Sequence, residues 1–121
     1  GELIIMLNRK YLPYPIPILS TEGGTGLGAS EDKNYPKITP ELHRDWNLEI
    51  FRRFNPEHPS YWGDELFAQM SWIYHTDTGS FMMDSWFNNA GYKGDLPIVA
   101  ALEKEPRFDR NTIFNKRGAG R

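Results

Sequence analysis

Cysteine is absent from this chain of 121 residues. Disulfides, thiolate nucleophiles and Cys-ligated zinc are thereby excluded, although the compartment is not, because secreted bacterial chains also do without cysteine. Long hydrophobic runs are missing too. Leu3-Ile4-Ile5-Met6-Leu7 and Pro15 to Leu19 are the longest, well below the roughly 18 residues that span a bilayer. No signal-peptide pattern is present, though a processed chain would already have lost one. Charge of one sign is also lacking: 14 Lys plus Arg face 16 Asp plus Glu, a net of -2. That balance offers no electrostatic footprint for nucleic acid or an anionic membrane, so neither is expected as a partner.

Aromatic side chains are what the sequence has in quantity, with four Trp, six Tyr and seven Phe. Many belong in a core, and a chain of this length suits one domain with a modest core. Several rings, however, stand among Gly, Asn and Asp in segments that look like loops. Exposed rings beside polar side chains are what a sugar-binding cleft requires.

Local patterns set the order of elements. Leu3, Ile4 and Leu7 fit one face of a short helix, and fit a strand almost as well. Tyr11 to Pro17 carries three alternating prolines and must be extended. Ile16 to Thr21 then reads as a buried strand that delivers Glu22 to a glycine-lined edge, and Gly23 to Pro36 reads as a long loop. Thr39-Pro40-Glu41 is a helix start, with Thr39 as N-cap and Pro40 in the first turn. Leu42, Trp46, Ile50 and Phe54, with Phe51, predict its buried face, and Arg44, Asp45, Glu49, Arg52 and Arg53 its wet one. Leu66 to His75 reads as a second buried strand, Thr76 to Gly94 as another long loop. Asp95 is the expected cap of a last helix whose inner face is Ile98, Val99 and Leu102.

Strand, loop, helix, loop, strand, loop, helix is an α/β order, and two buried strands joined by a helix predict parallel pairing. Both long loops follow strand C-termini, the edge where α/β proteins place ligand chemistry. Glu22 is the candidate catalytic carboxylate on these grounds. His75, Asp77 and Asp84 are candidate groups for sugar hydroxyls, and Trp86 with Phe87 is the expected exposed aromatic pair, flanked by Asn88 and Asn89. Trp72 is either core or the floor of the cleft.

Other motifs carry less. Gly24-Thr25-Gly26-Leu27-Gly28-Ala29 matches the dinucleotide fingerprint, but no helix opens behind it until Pro40. No cofactor is expected. Ser20 lacks the G-x-S-x-G elbow of a serine nucleophile, and His43, His58 and His75 lack metal-ligand spacing, so no metal is expected either.

Pro17-Ile18-Leu19-Ser20-Thr21-Glu22-Gly23-Gly24 resembles the seventh strand of retaining (β/α)8-barrel glycoside hydrolases, which ends in a nucleophilic Glu. Thr39-Pro40-Glu41-Leu42-His43, followed by Trp46 and Phe51, looks like the next helix of bacterial members. Met70-Ser71-Trp72 resembles the eighth strand, and Gly94-Asp95-Leu96-Pro97-Ile98-Val99 the closing helix. The resemblance covers roughly Pro15 to Glu105. It implies a partial (β/α)8 barrel of about two βα units with long loops at the strand C-terminal edge. Glu22 would be the nucleophile and Trp72 a residue under the sugar.

On this likeness residues 1–105 are the barrel units and 106–121 an extended, solvated basic tail. A complete barrel takes about 250 residues, so the remainder of the barrel, a partner chain or self-association is the expected companion, with a carbohydrate as substrate. The family's acid/base sits in an Asn-Glu pair after the fourth strand. Asn55-Pro56-Glu57 follows a helix instead, at the wrong edge of the sheet, and does not take that role. A non-catalytic carbohydrate- or protein-binding module and a small structural domain of a larger assembly are the alternatives.

Overall fold

A computed structural model describes residues 1–14, 16–24, 26–27, 37–63, 65–77 and 80–110. Its elements run α1 (Glu2–Tyr11), β1 (Ile18–Gly23), α2 (Pro40–Arg52), β2 (Leu66–Ser71), a 3₁₀ helix (Ser80–Asp84) and α3 (Pro97–Lys104). β1 and β2 form a two-stranded parallel sheet with βα-type connections. The fold is a small α/β domain, and the parallel order inferred from the sequence agrees with it.

The chain divides into two compact units. Gly1–Thr21, Phe51–Met70 and the described residues from Arg107 make the first; Glu22–Ile50 and Ser71–Pro106 make the second.

In the first unit, the Leu3–Leu7 segment is helical, but its face differs from the one expected. Ile5 and Asn8 turn inward, while Leu3, Ile4 and Leu7 are exposed. Asn8 explains the reversal. Its amide donates to the Ile16 carbonyl at 2.8 Å, and its Oδ1 accepts the Ile16 N–H at 3.4 Å. Satisfying both main-chain groups of Ile16 draws a polar residue inside. The same pairing withholds Ile16 from the sheet, and Pro17 has no N–H to give, so β1 starts at Ile18 rather than at Ile16. Glu65 meets Arg9 through two bonds, 2.8 and 2.9 Å. Phe54 packs edge-on against the buried Trp62 with centroids 5.2 Å apart. Within the segment read as a tail, Phe108 packs on Phe51 at 5.1 Å and the Arg110 guanidinium lies 4.8 Å from the Phe54 ring centre. Residues 111–121, the rest of that tail, lie outside the described residues.

In the second unit, α2 opens as its sequence dictates. Thr39 Oγ1 accepts the Leu42 N–H at 3.1 Å, and Pro40 is the first helical residue. Its inner face is again not the apolar one. His43, Asn47 and Leu48 are buried, and Trp46 is 51% exposed. Asn47 and His43, one turn apart, are linked by the Asn47 amide donating to the His43 carbonyl at 2.8 Å. β2 stops at Ser71, four residues before His75. The carbonyls of Ile73 and Tyr74 accept the Trp86 N–H at 3.1 and 3.0 Å, which turns the chain out of the ladder. The Trp72–Ile73 peptide is cis.

Downstream, the predicted long loop holds the 3₁₀ helix and an antiparallel bridge between Asn89 and Gly94. α3 begins at Pro97 with Leu96 as N-cap and no side-chain cap. Asp95 is not the cap, because its Oδ1 accepts the Asn88 N–H at 2.9 Å. The expected inner face of α3 holds: Leu48, Trp86, Leu96 and Ile98 form the core, with Leu27, Val99, Ala101 and Leu102 packed on it.

Candidate functional site

All six residues singled out from the sequence belong to the second unit. Glu22 is the next-to-last residue of β1 and is exposed. Trp72 follows the last residue of β2, and its main-chain N–H donates to the Gly23 carbonyl at 2.9 Å. That bond is the closing rung of the ladder. It sets the strand end that carries Glu22 beside the residue that carries the indole.

The Trp72 indole N–H donates to Asp84 Oδ2 at 3.3 Å. Asp84 ends the 3₁₀ helix and is only 8% exposed. The glycines after Glu22 are pressed against this layer. A Cβ on Gly26 would stand 2.6 Å from Asp84 Oδ1, and one on Gly24 would stand 2.8 Å from Asn47 Oδ1. Gly24 also has φ +100°, a conformation L side chains avoid. Backbone conformation favours glycine at Gly24, and at Gly26 a Cβ would have to push the Asp84 carboxylate aside. Residues 28–36 of the predicted loop lie outside the described residues.

Behind this layer sits His43, which sequence reasoning passed over as an ordinary histidine. It is fully buried, edge-on to Trp86 with centroids 5.8 Å apart. Among the described residues neither ring nitrogen has a hydrogen-bond partner. Burial pushes its pKa below the usual imidazole value, opposed by the Asp84 carboxylate. The unfolded chain titrates nearer the ordinary value of 6.5. Below that pH the unfolded state binds more protons, so stability is full above it and declines as pH falls toward the folded pKa. Melting temperatures measured downward from neutral pH should fall once pH drops below 6.5, with a slope of at most about 1.4 kcal/mol per pH unit from this group. His43→Leu should flatten that limb. The signal that would have found His43 is its spacing of four from Asn47, which puts two polar groups on one helical stripe.

Trp86 is not the exposed platform expected of it. It is 3% exposed and packs edge-on against Tyr74 as well, with centroids 5.2 Å apart. A core of four apolar side chains needs its largest ring more than the surface does. Phe87 is exposed, as predicted. His75 lies beyond β2, not at its end, and its Nδ1 meets the Phe87 carbonyl at 3.0 Å. A carbonyl only accepts, so Nδ1 donates in this contact. Asp77 is exposed in the loop that follows. The structure therefore joins Trp72 to Asp84 beside the Glu22 strand end, and leaves Trp86, His75 and Asp77 in other settings.

Among the described residues no three His, Cys, Asp or Glu side chains are grouped to hold a metal ion. No described helix is long and apolar enough to cross a membrane. No family model, no curated protein and no solved structure matches this chain. The functional reading rests on the site itself.

Proposed function

We propose that this chain supplies the seventh and eighth βα units of a retaining (β/α)8-barrel glycoside hydrolase, with Glu22 as its nucleophile. The observation that carries the reading is the rung between Trp72 and Gly23. It pairs the strand end that carries Glu22 with the residue that carries the indole, at the C-terminal edge of a parallel pair, the edge where barrel active sites are built. Each strand of the described pair has one neighbour, and an open strand edge calls for a further strand. The remaining strands of a barrel fill that role.

The chemistry follows from the pairing of carboxyl groups. Glu22 attacks the anomeric carbon and forms a glycosyl ester as the glycosidic bond breaks. A second carboxyl group, about 5–5.5 Å away, protonates the leaving oxygen and then takes a proton from the water that attacks the anomeric carbon and displaces the Glu22 carboxylate. Glu22 supplies one member of that pair, and the remainder of the barrel supplies the other. Trp72 offers a face for the C–H side of the sugar ring.

The test uses the assembled barrel in which the cell holds this chain. Hydrolysis of neutral aryl β-glycosides, with the product anomer read by proton NMR before mutarotation, is expected to proceed with retention. Inversion, or sugar binding with no turnover of any glycoside in the panel, would overturn the reading; the latter outcome would leave a carbohydrate-binding module.

A further inference from the structure

Asp84 is held more firmly than a sugar-contacting loop residue needs to be. The carbonyls of its two chain neighbours, Met83 and Ser85, both accept from the Asn89 amide, at 2.9 and 2.8 Å. Asn89 is itself buried, and its Oδ1 accepts the Tyr92 N–H at 2.9 Å. Ser85 is fully buried, with its hydroxyl bonded to both main-chain groups of Thr76, at 2.9 and 3.0 Å. Main-chain bonds from Trp86 to Ile73 and Tyr74 tie this segment to the residues just after Trp72. On the remaining side Gly26 leaves no room for a Cβ beside Oδ1.

A carboxylate that is 8% exposed gives up much of its hydration, a cost that persists in a fold only where the group is bonded. Oδ2 accepts the Trp72 indole N–H. We infer that Asp84 is a positioning residue that fixes the plane of the Trp72 ring, rather than a group that binds sugar hydroxyls. The inference rests on the reading of Trp72 as the sugar platform.

The geometry also narrows the ligand. With its N–H committed to Asp84, the indole presents only its π face. It can stack on the contiguous C–H face of a pyranose but has no donor left for a hydroxyl. Hydroxyl recognition falls to other groups, and affinity at this position comes from ring contact.

The bond can be read directly. In ¹⁵N-labelled full-length protein, the Trp72 indole signal is assigned by its loss in Trp72→Phe. Asp84→Ala is expected to shift that signal more than any other indole and to speed its solvent exchange at least tenfold. Asp84→Asn keeps an acceptor oxygen and should restore most of the slow exchange, a rescue that a purely space-filling role would not show. Should Asp84→Ala fail to fold, Gly26→Ala gives a second route. Its Cβ displaces Oδ1 with Asp84 still present, and the Trp72 signal should move. An unmoved Trp72 signal in Asp84→Ala or in Gly26→Ala overturns the inference, whatever the sugar assays give.

The kinetic arm separates this inference from the reading beneath it. On neutral aryl glycosides Asp84→Ala should raise KM several-fold with kcat nearly unchanged, and Asp84→Asn should return KM most of the way. If the indole signal responds as expected but Trp72→Phe leaves KM unaltered, Asp84 still holds the ring, and the sugar-platform reading of Trp72 is what fails.

Discussion

Trp86→Ala is expected to destabilise the protein by about 3–5 kcal/mol, the usual cost of deleting a buried large aromatic. The ring is 3% exposed and lies in one core with Leu48, Leu96 and Ile98. It also meets His43 and Tyr74 edge-on, at 5.8 and 5.2 Å between centroids. Its removal would leave a cavity between α2 and α3 that two short helices cannot close by shifting. Domains of this size have total stabilities of about 5–15 kcal/mol, so much of the molecule's stability would go with one side chain. Urea unfolding followed by circular dichroism measures it. Trp72→Phe, at a partly exposed position, should cost far less. A loss under about 1 kcal/mol for Trp86→Ala would show that the ring is not core.

Glu22→Gln is expected to do the reverse, removing activity and sparing the fold. Glu22 is exposed, and substitutions at exposed positions usually change stability by no more than about 0.5 kcal/mol. The amide is nearly isosteric with the carboxylate but cannot form the glycosyl ester. Loss of a covalent nucleophile costs on the order of 10⁴-fold or more in kcat. On the proposed function, glycoside hydrolysis by the assembled barrel should fall by that amount while the urea midpoint stays where it is. A decline of only tenfold would fit a residue that touches substrate without bonding to it.

Set side by side, these two substitutions show what was legible in the sequence. Local chemistry was. Thr39 and Pro40 announce the start of α2, and Ile98, Val99 and Leu102 announce the inner face of α3, because caps and periodicity act within a few residues. The parallel pairing of β1 and β2 followed from their separation by a helix. Contacts at long range were not legible. Asn8 displaced apolar neighbours from the inner face of α1 by satisfying Ile16. His43 and Asn47 did so on α2 because the chain at Gly24 and the ring of Trp86 came to rest against them. The two tryptophans look alike in sequence, each preceded by a serine and followed by an apolar residue, Ser71-Trp72-Ile73 and Ser85-Trp86-Phe87. Only folding decides that Trp86 is buried and Trp72 stands at the sheet edge.

The site was legible in the same uneven way. The place of Glu22 at the end of β1 could be read because strand, acid and glycines are consecutive. The link from Trp72 to Asp84 spans twelve residues and a 3₁₀ helix, so neither the partnership nor its direction could be read from the chain. His75 and Asp77 were drawn in by a strand expected to run to His75. β2 ends at Ser71 instead, which moves His75 off the strand and into the loop where Asp77 was already expected.

The central claim is that Glu22 bonds to the anomeric carbon, and a mechanism-based label tests it most directly. A 2-deoxy-2-fluoro glycoside with a good leaving group traps the glycosyl ester of a retaining enzyme. Peptide mass spectrometry of the labelled, assembled barrel should find the added sugar mass on the peptide containing Ser20-Thr21-Glu22-Gly23, with fragmentation placing it on Glu22. Label on any other carboxylate, with Glu22 unmodified, would contradict the account.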